Sequence, residues 1–237
     1  MTSVAQTAEQ VMQQGNDAYC AGNYAEAVRC YENILSSDNV SPELYYNLGN
    51  AYYRQEEIGR AILNYERALR LKPNDRDSRE NLALANSKTQ DQIAVLPQFF
   101  LSRWYQQMIQ WFSPKGWRTV LLIVLLALSA CAVIFVLSRN YNVRKGTLLG
   151  LLLLTLLLAL TIACNCSAAK AFRNHRTAIV TQPLIAVKSA PEAGSVEKLV
   201  LHEGAKVTIS EELSGWYRIH LSDRNNGWVE TQTVERI

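Results

Sequence analysis

The sequence is poor in the residues that perform chemistry. It has three histidines, His175, His202 and His220, and none has a neighbour at metal-ligand or triad spacing. No glycine-rich loop of the phosphate-cradling kind occurs. The acidic pairs Glu56-Glu57 and Glu211-Glu212 fall at turn signals, where exposed carboxylates are ordinary. Five cysteines without framework spacing exclude a disulfide scaffold. Cys20 and Cys30 either pair in an oxidising compartment or stay as free buried thiols, and Cys131, Cys164 and Cys166 lie in apolar segments. A net charge of +3 is too small to point to nucleic acid. These absences argue against an enzyme, a cofactor and a metal site, and leave binding or anchoring roles.

Two stretches lack charge altogether. Residues 119–137 form a run of nineteen uncharged residues, and residues 146–169 form a second, dense in leucine. At about 1.5 Å per residue the first reaches about 28 Å, close to the hydrocarbon thickness of a bilayer. Backbone polar groups in lipid must be satisfied within the segment, so both runs read as transmembrane helices. The connecting residues 138–145 make a short loop and an antiparallel hairpin. Positive charge on this loop (Arg139, Arg144, Lys145) and on the outer flanks (Lys115, Arg118, Lys170, Arg173, Arg176) leaves orientation open. Residues 91–118 read as a linker with an interfacial aromatic helix. Phe100, Trp104, Met108, Trp111 and Phe112 recur at intervals of three and four, Pro97 and Pro114 bound the stripe, and Trp104, Trp111, Phe112 and Trp117 are the expected membrane-interface residues.

The front of the chain, residues 6–90, repeats itself. Gly15 and Gly49, Ala27 and Ala61, Tyr31 and Tyr65, Asn16 and Asn50, and Asn47 and Asn81 are each 34 residues apart. The second copy reads Tyr45-x2-Leu48-Gly49-x2-Tyr52, Ala61-x3-Tyr65, Pro73, and this resembles the tetratricopeptide pattern. Ser41 is placed to cap a helix that starts at Pro42, and Asn74 to cap a last helix over about 75–88. Gly49 and Ala51 are small where helices must approach closely. An all-α solenoid of two repeats and a capping helix follows. Asn16, Asn47, Asn50 and Asn81 fall on its concave face, where they either grip a peptide backbone or bond within the stack. A clamp for a peptide carboxylate is disfavoured, because Met12 and Asp77 hold the positions where such clamps carry Lys or Arg.

Residues 178–237 switch to short alternating strands: AIVTQ, LIAVK, KLVLH, KVTISEE, WYRIHL and GWVE. Glu203-Gly204, Ser214-Gly215 and Asn226-Gly227 are turn signals, the last the strongest. The segments Leu201-x-Glu203-Gly204-x2-Val207, Gly215-Trp216-Tyr217-x-Ile219 and Gly227-Trp228-Val229 resemble a bacterial Src-homology-3-like domain, a small, partly open all-β barrel. Trp216, Tyr217 and Trp228 are candidates for an aromatic ligand patch, or for core.

The order of these parts makes a multidomain membrane protein. With YYNLGNAYYR, AILNYERALRLKPND, LPQFFLSRW, VLHEGAKVTI and NNGWVE it resembles the Bacteroides aerotolerance family BatE over nearly the whole chain. That resemblance implies a two-pass inner-membrane scaffold with both terminal domains periplasmic. It implies partners as well: membrane proteins with von Willebrand type A domains and a MoxR-type ATPase system, in envelope stress tolerance. The bilayer, and peptidoglycan through the barrel, complete the expected partners. A periplasmic front domain needs export. Ser3-Val4-Ala5 looks like the small-residue end of a signal peptide whose earlier regions are missing, so a truncated start is expected.

Overall fold

The computed structural model describes residues 7–37, 39–91, 104–105, 108–109, 111–112, 114–173, 176–221 and 225–237. Ser3-Val4-Ala5, Pro97, Phe100 and His175 lie outside the described residues. The chain forms two compact units, one of Met1–Pro97 with His175–Ile237, the other of Gln98–Asn174.

The first unit begins with five helices: α1 (Ala8–Cys20), α2 (Tyr24–Ser36), α3 (Pro42–Arg54), α4 (Ile58–Leu71) and α5 (Arg76–Asn86). Each starts where local chemistry allows. Thr7 and Gln10 form a reciprocal capping box on α1, and the Ser41 hydroxyl accepts from the Leu44 N–H ahead of Pro42. The last cap is Asp75, not Asn74: its carboxylate accepts from the Ser78 N–H at 3.1 Å, and α5 ends at Asn86 rather than 88. Asp wins because it sits one residue nearer the first turn and brings full negative charge to the helix N-terminus. Its hydrogen bond with Lys72, partly opposed by desolvation, holds the Asp75 carboxyl below the usual carboxylate range. This contribution is present above the unfolded value and fades as pH falls through the lower folded one. Asp75→Ala should cost about 1 kcal/mol, measured as a fall in the urea midpoint, and the difference from wild type should shrink in strong acid.

Helices pair through small residues. A Cβ on Gly15 would lie 2.5 Å from Cε1 of Tyr31, and one on Gly49 2.7 Å from Cε1 of Tyr65. Ala27, Ala51, Ala61 and Ala68 are fully buried at the other close approaches. Ile62, Leu63 and Tyr65 fill the centre, each worth roughly 1.5–3 kcal/mol of apolar burial.

The same unit ends in a seven-stranded antiparallel sheet of order β3-β2-β6-β5-β4-β1-β7. The strands are β1 (Thr177–Val180), β2 (Leu184–Lys188), β3 (Glu197–His202), β4 (Lys206–Leu213), β5 (Trp216–His220), β6 (Asn226–Glu230) and β7 (Val234–Arg236). Among the described residues β3 and β7 do not pair, so the sheet is not closed. Ser214 (φ 47°) and Gly215 (φ 85°) make the tight β4–β5 turn, both at positive φ as a two-residue hairpin of this hand requires. Asn226-Gly227 is not a turn. Both residues lie inside β6, paired with His220 and Ile219. Gly227 is needed there for a different reason: a Cβ would collide with the Val187 side chain and lie 2.8 Å from the Lys188 carbonyl oxygen.

The second unit contains α6 (Pro114–Leu137) and α7 (Tyr141–Arg173), joined by three residues. The link is shorter than the sequence suggests, because α7 starts at Tyr141 and takes Arg144 and Lys145 into its first turns; Arg144 then lies over the Phe135 ring at 5.0 Å. The helices run antiparallel: Trp117 packs with Cys164 and Ala168, and Cys131 Sγ lies 3.4 Å from the Thr147 carbonyl oxygen. Both helices are long and apolar enough to cross a membrane. All five cysteines are free; Cys20 is exposed and Cys30 buried.

Candidate functional site

The concave side of the stack is built from α1, α3 and α5, and its polar residues form an ordered ladder. Tyr31 donates its hydroxyl to Asn16 Oδ1 at 2.8 Å, and Tyr65 donates to Asn50 Oδ1 at 2.8 Å, one repeat later. Asn47 Nδ2 donates to the same Asn16 oxygen at 3.2 Å, and Asn81 Nδ2 to the same Asn50 oxygen at 2.8 Å. Burial pushes the Tyr31 hydroxyl up to about 12, and the Tyr65 hydroxyl up for the same reason. Both stay protonated near neutrality and remain donors.

The asparagines do bond within the stack, and two of their oxygens are filled by it. An amide has four hydrogen-bonding capacities, however, and the stack uses only some of them. Asn16 and Asn50 keep an Nδ2 donor, while Asn47 and Asn81 keep an Oδ1 acceptor, and none of these groups is both buried and unpaired. Asn47 also keeps one Nδ2 hydrogen, so the ladder offers both donors and acceptors along its length. Asn16, Asn47 and Asn50, with Tyr19, Cys20 and Tyr31, line a half-open cavity of about 260 Å³. Tyr19 stands edge-on to Tyr24 at 5.3 Å. At the far end, Asn81 also donates to the Tyr46 hydroxyl at 3.3 Å. Met12 packs against the repeat core and Asp77 is exposed in the first turn of α5.

The sequence reading missed Tyr19, Cys20 and the two supporting tyrosines. A signal for the tyrosines exists. Tyr31 follows Asn16, and Tyr65 follows Asn50, by the same 15 residues, and the asparagine pairs share a separation of 31. Two constant offsets inside one repeat mark a contact rather than a coincidence.

The aromatic trio of the sheet does not share one face. Strand alternation sends Tyr217 toward the sheet core, under Arg236 at 4.8 Å. Trp216 and Trp228 stand half-buried on the opposite face, where Lys188 lies over the Trp216 ring at 5.6 Å and pairs across from Trp228. The expected interfacial residues divide as well. Trp104 and Trp111 are 54% and 58% exposed and Phe112 is exposed. Trp117 is 5% exposed, with its indole N–H on the Ile109 carbonyl oxygen at 2.9 Å. It packs against Met108, Ile109, Cys164 and Ala168.

A tetratricopeptide repeat family model matches residues 12–87. Those residues make an all-helical, tetratricopeptide-like region. Among solved structures, the first such domain of Spaghetti (RPAP3), bound to an HSP90 peptide SRMEEVD, is similar at 18% identity, covering 66% of this chain and 99% of that one with a TM-score of 0.32. The first such domain of human RPAP3 is similar at 22% identity, covering 34% and 90%, with a TM-score of 0.22. No curated protein matches. The tetratricopeptide repeats, two apolar helices and an antiparallel sheet are the observed parts.

Proposed function

We propose that this chain is a membrane-anchored scaffold of an inner-membrane complex, in which the tetratricopeptide repeats hold an extended segment of a partner protein. The observation that carries this reading is the row of unused donors and acceptors along Asn16, Asn47, Asn50 and Asn81. It complements a peptide main chain, which offers both kinds of group at every residue. Met12 and Asp77 supply no cation for a terminal carboxylate, so the segment is held by its backbone. α6 and α7 cross the bilayer, with Trp104, Trp111 and Phe112 at the headgroup level. The sheet is a partly open Src-homology-3-like barrel. The resemblance to the aerotolerance family supplies the setting: both terminal parts in the periplasm, partners with von Willebrand type A domains, a MoxR-type ATPase system and a role in envelope stress tolerance.

Asn47→Ala removes an unused acceptor yet leaves the Tyr31–Asn16 bond intact. Capture from detergent-solubilised membranes should lose a specific membrane partner at least about fivefold, with the melting temperature lowered only slightly. Unchanged recovery rejects the groove as the site. A periplasm-active reporter fused after Ile237 tests the compartment; an expressed but inactive fusion places the sheet in the cytoplasm.

One observation favours a second reading, cell-wall binding through the sheet. Trp216 and Trp228 share an accessible face with Lys188, a surface on which a sugar ring can stack. Sedimentation with purified peptidoglycan separates the readings, since only this one requires direct retention that Trp228→Ala abolishes.

A further inference from the structure

The second helix of the second repeat, α4, is used on two sides. Toward the stack it presents Ala61, Tyr65 and Ala68, all fully buried. Its other side meets the sheet at distances that leave no room for side chains. A Cβ on Gly59 would lie 2.8 Å from the Val180 carbonyl oxygen, and a Cβ on Gly204 would lie 2.8 Å from Ile62 Cδ1 and 2.6 Å from Thr89 Cγ2. Gly204 has φ +83°, so glycine serves both the turn and the contact.

Polar groups close the same surface. Glu57, at the N-cap of α4, makes no side-chain cap bond; instead the Gly59 N–H donates to Glu203 Oε2 at 3.3 Å, from 144 residues away. Lys206 reaches Glu66 at 2.6 Å, and Arg67 binds Glu235 at 2.9 Å and the Arg236 carbonyl oxygen at 2.7 Å. The Arg70 guanidinium bonds the Ile237 main-chain oxygen. The Asp91 carboxylate takes both the His202 backbone N–H at 2.6 Å and its Nδ1 at 2.9 Å. The apolar bookkeeping is more telling than the ion pairs, which are individually weak at a surface. Ile179 and Ile237 belong to the apolar cluster of the repeats, whereas their strand neighbours Ala178, Val180 and Val234 belong to the cluster of the sheet.

We propose that the tetratricopeptide repeats and the sheet are one cooperative folding body, interrupted in sequence by the hairpin, with α4 as its shared core helix. The sheet supplies the missing cap and two core side chains to the repeats. The repeats supply the platform for the inner edge of β1 and β7. Both parts then lie on the same side of any membrane that the hairpin enters, and the convex face of the second repeat is closed to outside partners.

Hydrogen exchange on the full chain in nanodiscs tests this. Gly59→Ala improves helix propensity, so in an independent repeat domain it would slow exchange in α4 or leave it unchanged. One cooperative body predicts the reverse: exchange about tenfold faster in α4 and, by a similar factor, in β1, β4 and β7. Exchange in the sheet that stays at the wild-type rate overturns the proposal. If Gly59→Ala fails to fold, the milder pair Arg67→Glu and Glu235→Arg serves. Each alone should speed exchange in both parts, and the two together should restore protection in both. Restoration confined to one part, or none, overturns it equally. Neither readout depends on a partner occupying the groove.

Discussion

Gly49→Ala should lower the thermal midpoint of the repeat-containing unit by roughly 4–8 °C, a loss of about 2 kcal/mol. On propensity alone the change should help, since alanine in a helix interior is better than glycine by about 1 kcal/mol. The packing term decides otherwise. The new methyl would sit 2.7 Å from Cε1 and 2.8 Å from Cδ1 of Tyr65. That ring cannot swing away easily: it is 1% exposed, and its hydroxyl is tied to Asn50 at 2.8 Å. To relieve the clash the ring must leave its place, and the hydroxyl must release Asn50, one of the groove's four asparagines. Stability and partner capture should therefore fall together. Circular dichroism in detergent and the capture assay check both. Gly146→Ala is the control, since a Cβ there meets nothing within 4 Å and the change should be neutral or slightly favourable. A midpoint for Gly49→Ala at or above wild type would show that the helices are not packed as described.

The same pair of residues shows what a sequence makes legible and what it hides. The 34-residue period announces that Gly49 and Tyr65 are equivalent to Gly15 and Tyr31, and the small size of Gly49 announces a close approach. Caps, helix faces and the alternation of strands β2 to β5 are local properties, so they can be read from neighbours in the chain. The errors arise where a local signal meets a tertiary constraint. Asn226-Gly227 has the composition of a turn, but pairing with β5 and the approach of β2 make it the interior of a strand. Nor does sequence show that the Trp117 indole, expected at a membrane interface, packs against Cys164 and Ala168 of α7. The asparagines were legible as a set; their division into stack-bonded and unused groups was not, because it depends on hydroxyls from the neighbouring helix. The contact between α4 and the sheet was invisible for a plain reason. Its partners lie more than 100 residues apart, and no periodicity reports on a contact made once.

Leu156→Arg should abolish stable insertion of the hairpin or sharply reduce the amount of membrane-integrated protein. Leu156 is 70% exposed near the middle of α7, among Leu149, Leu152, Leu153 and Leu160, all exposed. On a water-facing helix such a substitution is close to neutral, within about 0.5 kcal/mol, and removes an apolar patch. In the middle of a bilayer the arginine costs about 2.5–3.5 kcal/mol by insertion scales, a factor of at least about fifty in the insertion equilibrium. The two environments thus predict opposite consequences for one residue. Length argues for the bilayer: the 24 residues of α6 extend about 36 Å and the 33 of α7 about 50 Å, so each exceeds the hydrocarbon thickness. Leu137→Arg at the end of α6 is the matched control. Leu137 is also highly exposed, but at the end of a membrane-spanning α6 an arginine can extend its guanidinium to the headgroups and should be tolerated. Alkaline carbonate extraction followed by blotting of the pellet reads the outcome. If Leu156→Arg pellets as wild type does, with the hairpin intact, the exposed leucines are covered by protein rather than lipid. α6 and α7 would then be contact surfaces for further chains instead of an anchor.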